Sequence, residues 1–423
     1  MFSCKRSVRF LAPILCAAAA SAATWCVNPT GASGCKTTIG AAVAAAAAGD
    51  TVSVAAGTYK ESVKIGMPLA LTGADAATTI IDATGLANGI YVDGIDNNAL
   101  AGVFISGFTV QNANFEGILV ANASATTISG NIVQNNDKSL AFSTVQSACP
   151  GLPAFETNEA DDCGEGIHLL GADHSVVVDN TVENNAGGIL LSDDTAAVHH
   201  NLIAGNLVSN NAYDCGITLA SHVPAALTNS ANPLGVYNNN VVSNQSLQNG
   251  LLGDGAGVGI FASAPGTASY SNAVVNNTVT GNGIPGVTLH GHAPNQNLNA
   301  NLIIGNTLSG NGADTAPTST PGPAGINIWA VSPISGIIVS QNIFSNEALD
   351  VVVNAPGDFR VQRNSFPRGT IGVMNAGGGN VNADSNYWGC SSDPRTQVPG
   401  FALCAMISGP VTVTTWVTSP ISK

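Results

Sequence analysis

Charged side chains are scarce in this 423-residue chain, at 9% of residues, and aromatic ones are scarcer still at 5%. Between Lys138 and Arg360 there is no lysine or arginine at all. Nucleic acid and anionic membrane surfaces are held by clustered cations, so this absence excludes both as partners. A formal net charge of -14 also disfavours acidic polymers. With little Lys or Glu to clothe them, exposed helices are excluded as the main architecture. What remains for the surface is Asn, Ser, Thr and Gly, which together with many β-branched residues suit short strands broken by turns.

Long apolar runs are also missing, apart from one near the start. Lys5, Arg6 and Arg9 precede the stretch Phe10 to Ala20, and the small residues Ala20-Ser21-Ala22 follow it. This pattern predicts a secretory signal peptide over residues 1–23, too short to anchor the chain. A secreted, periplasmic or cell-surface location is therefore expected. Cys4 and Cys16 leave with the signal, so seven of the nine cysteines stay. Cys26 with Cys35, Cys149 with Cys163, and Cys390 with Cys404 are close enough in sequence to staple loops in an oxidising compartment. Cys215 is then left as a buried thiol, with Cys163–Cys215 the alternative pairing.

The strongest positive signal is repetition. A cassette of Asn, two aliphatic or β-branched residues, a polar residue and Asn recurs, as in Asn131-Ile132-Val133-Gln134-Asn135, Asn180-Thr181-Val182-Glu183-Asn184 and Asn342-Ile343-Phe344-Ser345-Asn346. Glycine-led strands recur beside it, among them Gly166-Ile167-His168-Leu169, Gly188-Ile189-Leu190-Leu191 and Gly325-Ile326-Asn327-Ile328. Units that cannot bury their apolar side alone must stack on their neighbours. Parallel strands joined by right-handed crossovers then predict an all-β, single-stranded right-handed parallel β-helix. Its expected limits are residues 50–390, with an N-terminal cap at 24–49 containing a helix from Ile39 to Ala48, and a C-terminal cap or tail at 391–423. Alternation predicts that each strand turns its apolar residues inward and exposes the residues between them. Stacked Asn amides are expected to bond from coil to coil. Insertions are expected at 138–163, 222–235, 245–255 and 312–323.

Thr38-Ile39-Gly40-Ala41-Ala42-Val43, Gly49-Asp50-Thr51-Val52-Ser53-Val54 and Gly57-Thr58-Tyr59 with Glu61 and Val63 resemble the opening of secreted pectin-lyase-like β-helix proteins. The central coils are similar to parallel β-helix repeats of the carbohydrate-binding and sugar-hydrolase type, including the periplasmic copper-maturation family. Asn386-Tyr387-Trp388-Gly389 is similar to a terminal motif of secreted members. The resemblance spans nearly all of the mature chain and implies the fold. No catalytic motif of pectinesterases, alginate epimerases or polygalacturonases is present, so no catalytic set carries over.

Aligning the coils on their glycines places Asp194, His222 and His292 six residues on, and Phe261, His290 and Trp329 four residues on. Adjacent coils are about 4.8 Å apart, which would stack these residues into an outer stripe. Asp194, His222 and His292 are the candidate catalytic residues; Phe261, His290 and Trp329 are the candidate substrate-binding residues, offering rings and a polar edge to sugars. The bland reading of the stripe is a row of turn residues facing solvent. His290 and His292 with His222 or Asp194 have the donors for zinc or copper, whereas His199-His200 is weaker because strand neighbours point to opposite faces. No metal or cofactor is assigned; calcium is the ion that Glu116 and Glu165 would suit. The expected partner is a polysaccharide, neutral or weakly charged because the central coils lack cations. Its binding or processing, with glycoside hydrolase or lyase chemistry as the enzymatic form, is the favoured reading. A non-enzymatic, adhesin-like scaffold is the alternative.

Overall fold

The computed structural model describes residues 22–136, 164–222, 234–291, 293–315, 320–396 and 404–421. Each full coil sends one strand into each of three long sheets, of fourteen, twelve and ten strands, and the strands pair in parallel. This is the right-handed parallel β-helix.

The two recurring motifs belong together because they meet across the inside of one coil. A Cβ on Gly117, Gly166, Gly188 or Gly257 would lie 2.2 to 2.4 Å from Cγ1 of Val133, Val182, Val208 or Val279, the inward valines of the same coils. The glycine therefore makes room for the cassette. Any larger residue would push the walls of the coil apart.

Asparagine has two separate roles, on adjacent residues. Asn135, Asn184, Asn210 and Asn346 adopt left-handed backbone, with φ between 55° and 58°, a conformation that Asn tolerates better than most residues. The interior ladders are built by other asparagines. One runs Asn131, Asn180, Asn206, Asn244, Asn277, Asn306, Asn342, Asn364 and Asn386, each donating from backbone N–H to the next side-chain oxygen at 2.7 to 3.0 Å. A second starts at Asn136 and Asn185 and ends where Asn311 donates to the carboxylate of Glu347. A third joins Ser175, Asn201, Asn239, Asn272 and Asn301. The cassette Asn240-Val241-Val242-Ser243-Asn244 lies one strand earlier in its coil than its namesakes, since Asn240–Val242 joins the fourteen-stranded sheet.

Alternation holds in the fourteen- and ten-stranded sheets, where strands such as Val176–Val178 and Thr181–Glu183 bury only their central residue. It fails in the twelve-stranded sheet. Glu165–Leu170, Gly187–Ser192 and Ile217–Ser221 are buried at every position, so the expected exposure of intervening residues is wrong here. The outward positions are closed in two ways: Leu119, Ala121 and Leu170 form an apolar cluster, while His168 bonds to Ser192 and His290 to Asn327 across coils. The expected insertion at 245–255 is also too long, because Gln245–Leu247 is a regular strand of the ten-stranded sheet.

The capping helix spans Ile39–Ala45 and buries Ile39, Ala42 and Val43 over the first coil. Thr38 caps its first turn, and Glu61 accepts from the N–H groups of Ile39 and Gly40. It stops three residues short of the expected end because Asp50 draws the Ala47 N–H out of the helix. Asp50 also accepts from Ala23 and Trp25, and these bonds, that from Ala47 foremost, hold its carboxyl below the usual range. At the far end the fully buried Trp388 packs on Phe366, which packs on Phe344, at centroid separations of 4.9 and 5.5 Å. Parallel pairing continues past residue 390, through Met406–Ser408, Val411–Thr412 and Trp416–Val417.

Cys26 is bridged to Cys35 and Cys390 to Cys404, with α-carbons 4.8 and 5.1 Å apart. Cys215 is buried and unbridged, and burial pushes its thiol pKa well up. Cys149 and Cys163 lie outside the described residues, as does nearly all of the expected signal peptide.

Candidate functional site

The twelve-stranded sheet carries the predicted stripe. Ser192 pairs in register with Ala220, which brings the next turn residues, Asp194 and His222, side by side. His222 Nδ1 lies 3.2 Å from both carboxylate oxygens of Asp194. Asp193 fixes the neighbouring backbone, accepting from the His222 N–H and from Ser221 Oγ, each at 2.8 Å. On the following coils Phe261 pairs with His290 and His290 with Trp329. Their rings meet edge to face, with centroids 5.8 and 5.6 Å apart. Phe261 and Trp329 are half-buried, while His290 is buried with its Nε2 2.7 Å from Asp314 and 3.0 Å from the Asn327 amide. His290 thus packs between the two half-buried rings with its nitrogen engaged by the protein. His292 lies outside the described residues.

Toward the N-terminus the stripe continues as a hydrogen-bonded relay. Glu116 accepts from the Glu165 backbone N–H at 2.7 Å and lies 3.1 Å from His168 Nδ1. His168 Nε2 is 2.8 Å from Ser192 Oγ, and Ser192 donates to Asp194 at 2.6 Å. Glu116, His168, Ser192, Asp194 and His222 therefore form one chain across four coils. A single hydroxyl proton cannot serve both neighbours of Ser192. With Ser192 donating to Asp194, His168 satisfies Glu116 and Ser192 together when both its nitrogens carry protons. Carboxylate, imidazole and hydroxyl in this order resemble a nucleophile relay in composition, but Ser192 is fully buried, so its oxygen meets no substrate in this conformation. The alignment at four and six places from each glycine leaves out His168, which stands two places on; stacking that position as well would have shown it.

Both carboxylate oxygens of Glu116 bond to protein groups, the Glu165 backbone N–H and the His168 ring. Glu165 lies over Gly187, where a Cβ would come within 2.0 Å of its carboxylate.

A histidine cluster at the edge of a short three-stranded parallel sheet, made of Val198–His199, Val236–Tyr237 and Ser269–Tyr270, was not expected. His174 and His200 both take left-handed backbone, with φ of 50° and 57°, which turns each ring back beside His199. The argument that adjacent strand residues point apart fails because His200 is in a turn. One nitrogen from each of the three rings falls within 4.8 Å of the others, and the Nδ1 atoms of His199 and His200 are 3.0 Å apart. His199 continues outward into a stack with Tyr237 and Tyr270, each step 5.1 Å between centroids. Burial lowers the pKa of His199, against the pull of Asp173.

A cleft of about 790 Å³ opens elsewhere, lined by Ile338, Asp358, Arg360, Asn380 and Asn382 of the fourteen-stranded sheet among others. Of its polar groups, Asn380 donates to Asp358 at 3.0 Å, and Asn382 accepts from Gln362 beside the cleft at 2.8 Å. It brings together no imidazole or aromatic stack, so the stripe remains the better site.

Residues 45–250 match the family described as "Periplasmic copper-binding protein (NosD)". The fold is similar to that of the Dettilon tailspike protein, at 14% identity over 89% of this chain and 65% of that one, with a TM-score of 0.52. It is similar too to DFA-IIIase from Arthrobacter chlorophenolicus A6 without its lid, at 14% identity over 88% of this chain and 89% of that one, with a TM-score of 0.51. A protein of Geobacillus virus E2, ORF18, is 13% identical over 84% of this chain with a TM-score of 0.47, and this chain spans 57% of its length. No curated protein matches this chain. The tailspike and DFA-IIIase likenesses, at 14% identity, establish a shared fold alone.

Proposed function

We propose that this chain, whose fold is that of the pectin-lyase-like right-handed parallel β-helices, is exported and engages a polysaccharide along the outward face of its twelve-stranded sheet. The observation that carries the reading is two offset rows on consecutive coils of one sheet: Asp194 beside His222 just past the strand ends, then Phe261, His290 and Trp329 in register, in the row that Ser192 and Ala220 begin. Coils about 4.8 Å apart make this a line of stacking surfaces and hydroxyl partners long enough for an oligosaccharide. The absence of Lys and Arg from these coils favours a neutral or weakly charged glycan. Among proteins of like fold, the DFA-IIIase has been described in complex with GF2. Two disulfides and the periplasmic description of the matched family support export.

If the face also does chemistry, the Asp194–His222 pair is the acid and base, as in hydrolysis or elimination. A second reading has a specific observation in its favour. The side chains of Asp194 and His222 are each only 3% exposed, which suits a structural polar layer in a scaffold that presents other surfaces.

A glycan array with the exported protein, followed by reducing-end and unsaturated-product assays on each hit, separates the two. Trp329→Ala is expected to weaken glycan binding by about 1 kcal/mol or more through the lost stacking face, with the melting temperature kept. Asp194→Asn and His222→Ala should abolish turnover if the pair is catalytic and only soften affinity if the face merely binds. Binding and turnover unchanged in all three variants would leave the scaffold.

A further inference from the structure

The histidines at the sheet edge form a constellation that the glycan reading does not use. We propose that His174, His199 and His200 bind one divalent transition ion of borderline softness, such as Cu(II) or Zn(II), with Asp173 as the positioning residue. Three imidazole donors from two adjacent coils, all reachable from solvent, supply the ligands. Such donors select this class of ion over calcium or magnesium, which prefer oxygen.

The positioning partner is already in place. Asp173 Oδ1 lies 2.5 Å from His174 Nδ1, and its other oxygen accepts from Ser124 Oγ at 2.7 Å. A carboxylate on Nδ1–H fixes the tautomer and leaves the Nε2 lone pair of that ring free for metal. His174 and His200 stack with centroids 5.1 Å apart and nearly parallel planes, and His199 stands edge-on to both. Two of the rings are thus set against each other before any ion arrives.

The Nδ1 atoms of His199 and His200 are hydrogen-bonded to each other at 3.0 Å, which needs a proton on one of them. An ion held by both nitrogens displaces that proton, so binding releases it.

The test uses tag-free mature protein stripped with chelator and titrated calorimetrically with CuCl2 and, separately, ZnCl2 near pH 7.5. One equivalent per chain is expected, with the copper complex showing nitrogen hyperfine structure by electron paramagnetic resonance. Because His174 and His200 need left-handed backbone, the knockout is His174→Asn, His199→Ala, His200→Asn, Asn being tolerated there. It should lose the equivalent while keeping its far-ultraviolet dichroism and melting temperature. Asp173→Asn should keep the stoichiometry and weaken affinity about 10- to 100-fold. The proposal is overturned if neither ion binds stoichiometrically. It is equally overturned if the folded knockout still binds one equivalent, as it would were the ion held by His222 or His290. Should the triple variant not fold, His199→Ala alone decides: loss of at least tenfold in affinity supports the site, and unchanged affinity refutes it.

Discussion

Replacing Asn206 with alanine tests what holds the coils in register. The Asn206 side chain accepts from the backbone N–H and the amide of Asn180, both at 3.0 Å, and donates to Val177 O and Asn244 Oδ1, both at 2.9 Å. All of this lies in a fully buried position. Four hydrogen bonds vanish in Asn206→Ala, and two of them end on main-chain groups that cannot turn elsewhere. With about 0.5–1.5 kcal/mol for each of the two side-chain pairs and about 1–3 kcal/mol for each of the two main-chain groups orphaned in the interior, the expected destabilisation is about 3–9 kcal/mol. Asn210, four residues on, is the control. It is exposed with φ of 57°, so Asn210→Gly relieves a strained backbone and should stay within about 0.5 kcal/mol of the parent. Urea unfolding followed by far-ultraviolet dichroism gives the two values, and amide exchange over Val176–Val178 and Leu202–Ala204 locates the loss. If Asn206→Ala came within about 1 kcal/mol of Asn210→Gly, the ladder would not be what stabilises the stack.

Burial raises the Glu347 carboxyl to about 7, against the bonds it accepts from Asn311. An unfolded Glu titrates near 4.3, so between about pH 4.3 and 7 the folded state holds a proton that the unfolded state has released. Stability contributed by this group is complete in acid and is lost as pH rises through 7, by about 4 kcal/mol at most. Glu347→Gln should flatten that slope and leave the protein relatively more stable at pH 8; an unaltered slope in pH-dependent melts would disprove the assignment. Thiol titration of the mature, unreduced protein should find no reactive cysteine in the native state and one, Cys215, in denaturant, whereas three thiols there would mean that Cys149 and Cys163 are not bridged.

The coil was legible because its two motifs are each other's complement: Gly117, Gly166 and Gly188 sit opposite the valine that needs the missing Cβ, as Gly216 does opposite Ser246 and Gly325 opposite Phe344. Register was less legible. The repeated pentapeptide runs from ladder Asn to turn Asn, so it hides that Asn136, Asn185 and Asn211 just beyond it form a second ladder. Of the stripe, the pairing of Phe261 with His290 and Trp329 follows from counting along the strands, since no bulge intervenes. The histidine cluster did not follow from counting. His174 stands 25 residues before His199, and only the left-handed turns at His174 and His200, which strand periodicity cannot express, bring the rings together. Burial of the outward face of the twelve-stranded sheet was equally invisible, because alternation assigns a side chain to a face and says nothing of whether that face is wet.

Coil length and coil spacing are uncoupled in this molecule. Successive ladder asparagines stand 49, 26, 38, 33, 29, 36, 22 and 22 residues apart, yet each makes the same bond to the next. The corner between the fourteen- and ten-stranded sheets keeps two residues from the Phe104–Ser106 coil to the Ile334–Ser340 coil, as between Val176–Val178 and Thr181–Glu183 or between Leu302–Ile304 and Thr307–Ser309. Much of the extra length therefore enters the chain beside the twelve-stranded sheet. One corner behaves as a spine under strict grammar, and the opposite face as a margin where text of any length can be written. Lengthening or replacing a segment there changes what the molecule touches without reopening the problem of how it folds, which makes that margin the natural place both for divergence and for grafting new recognition onto this stack.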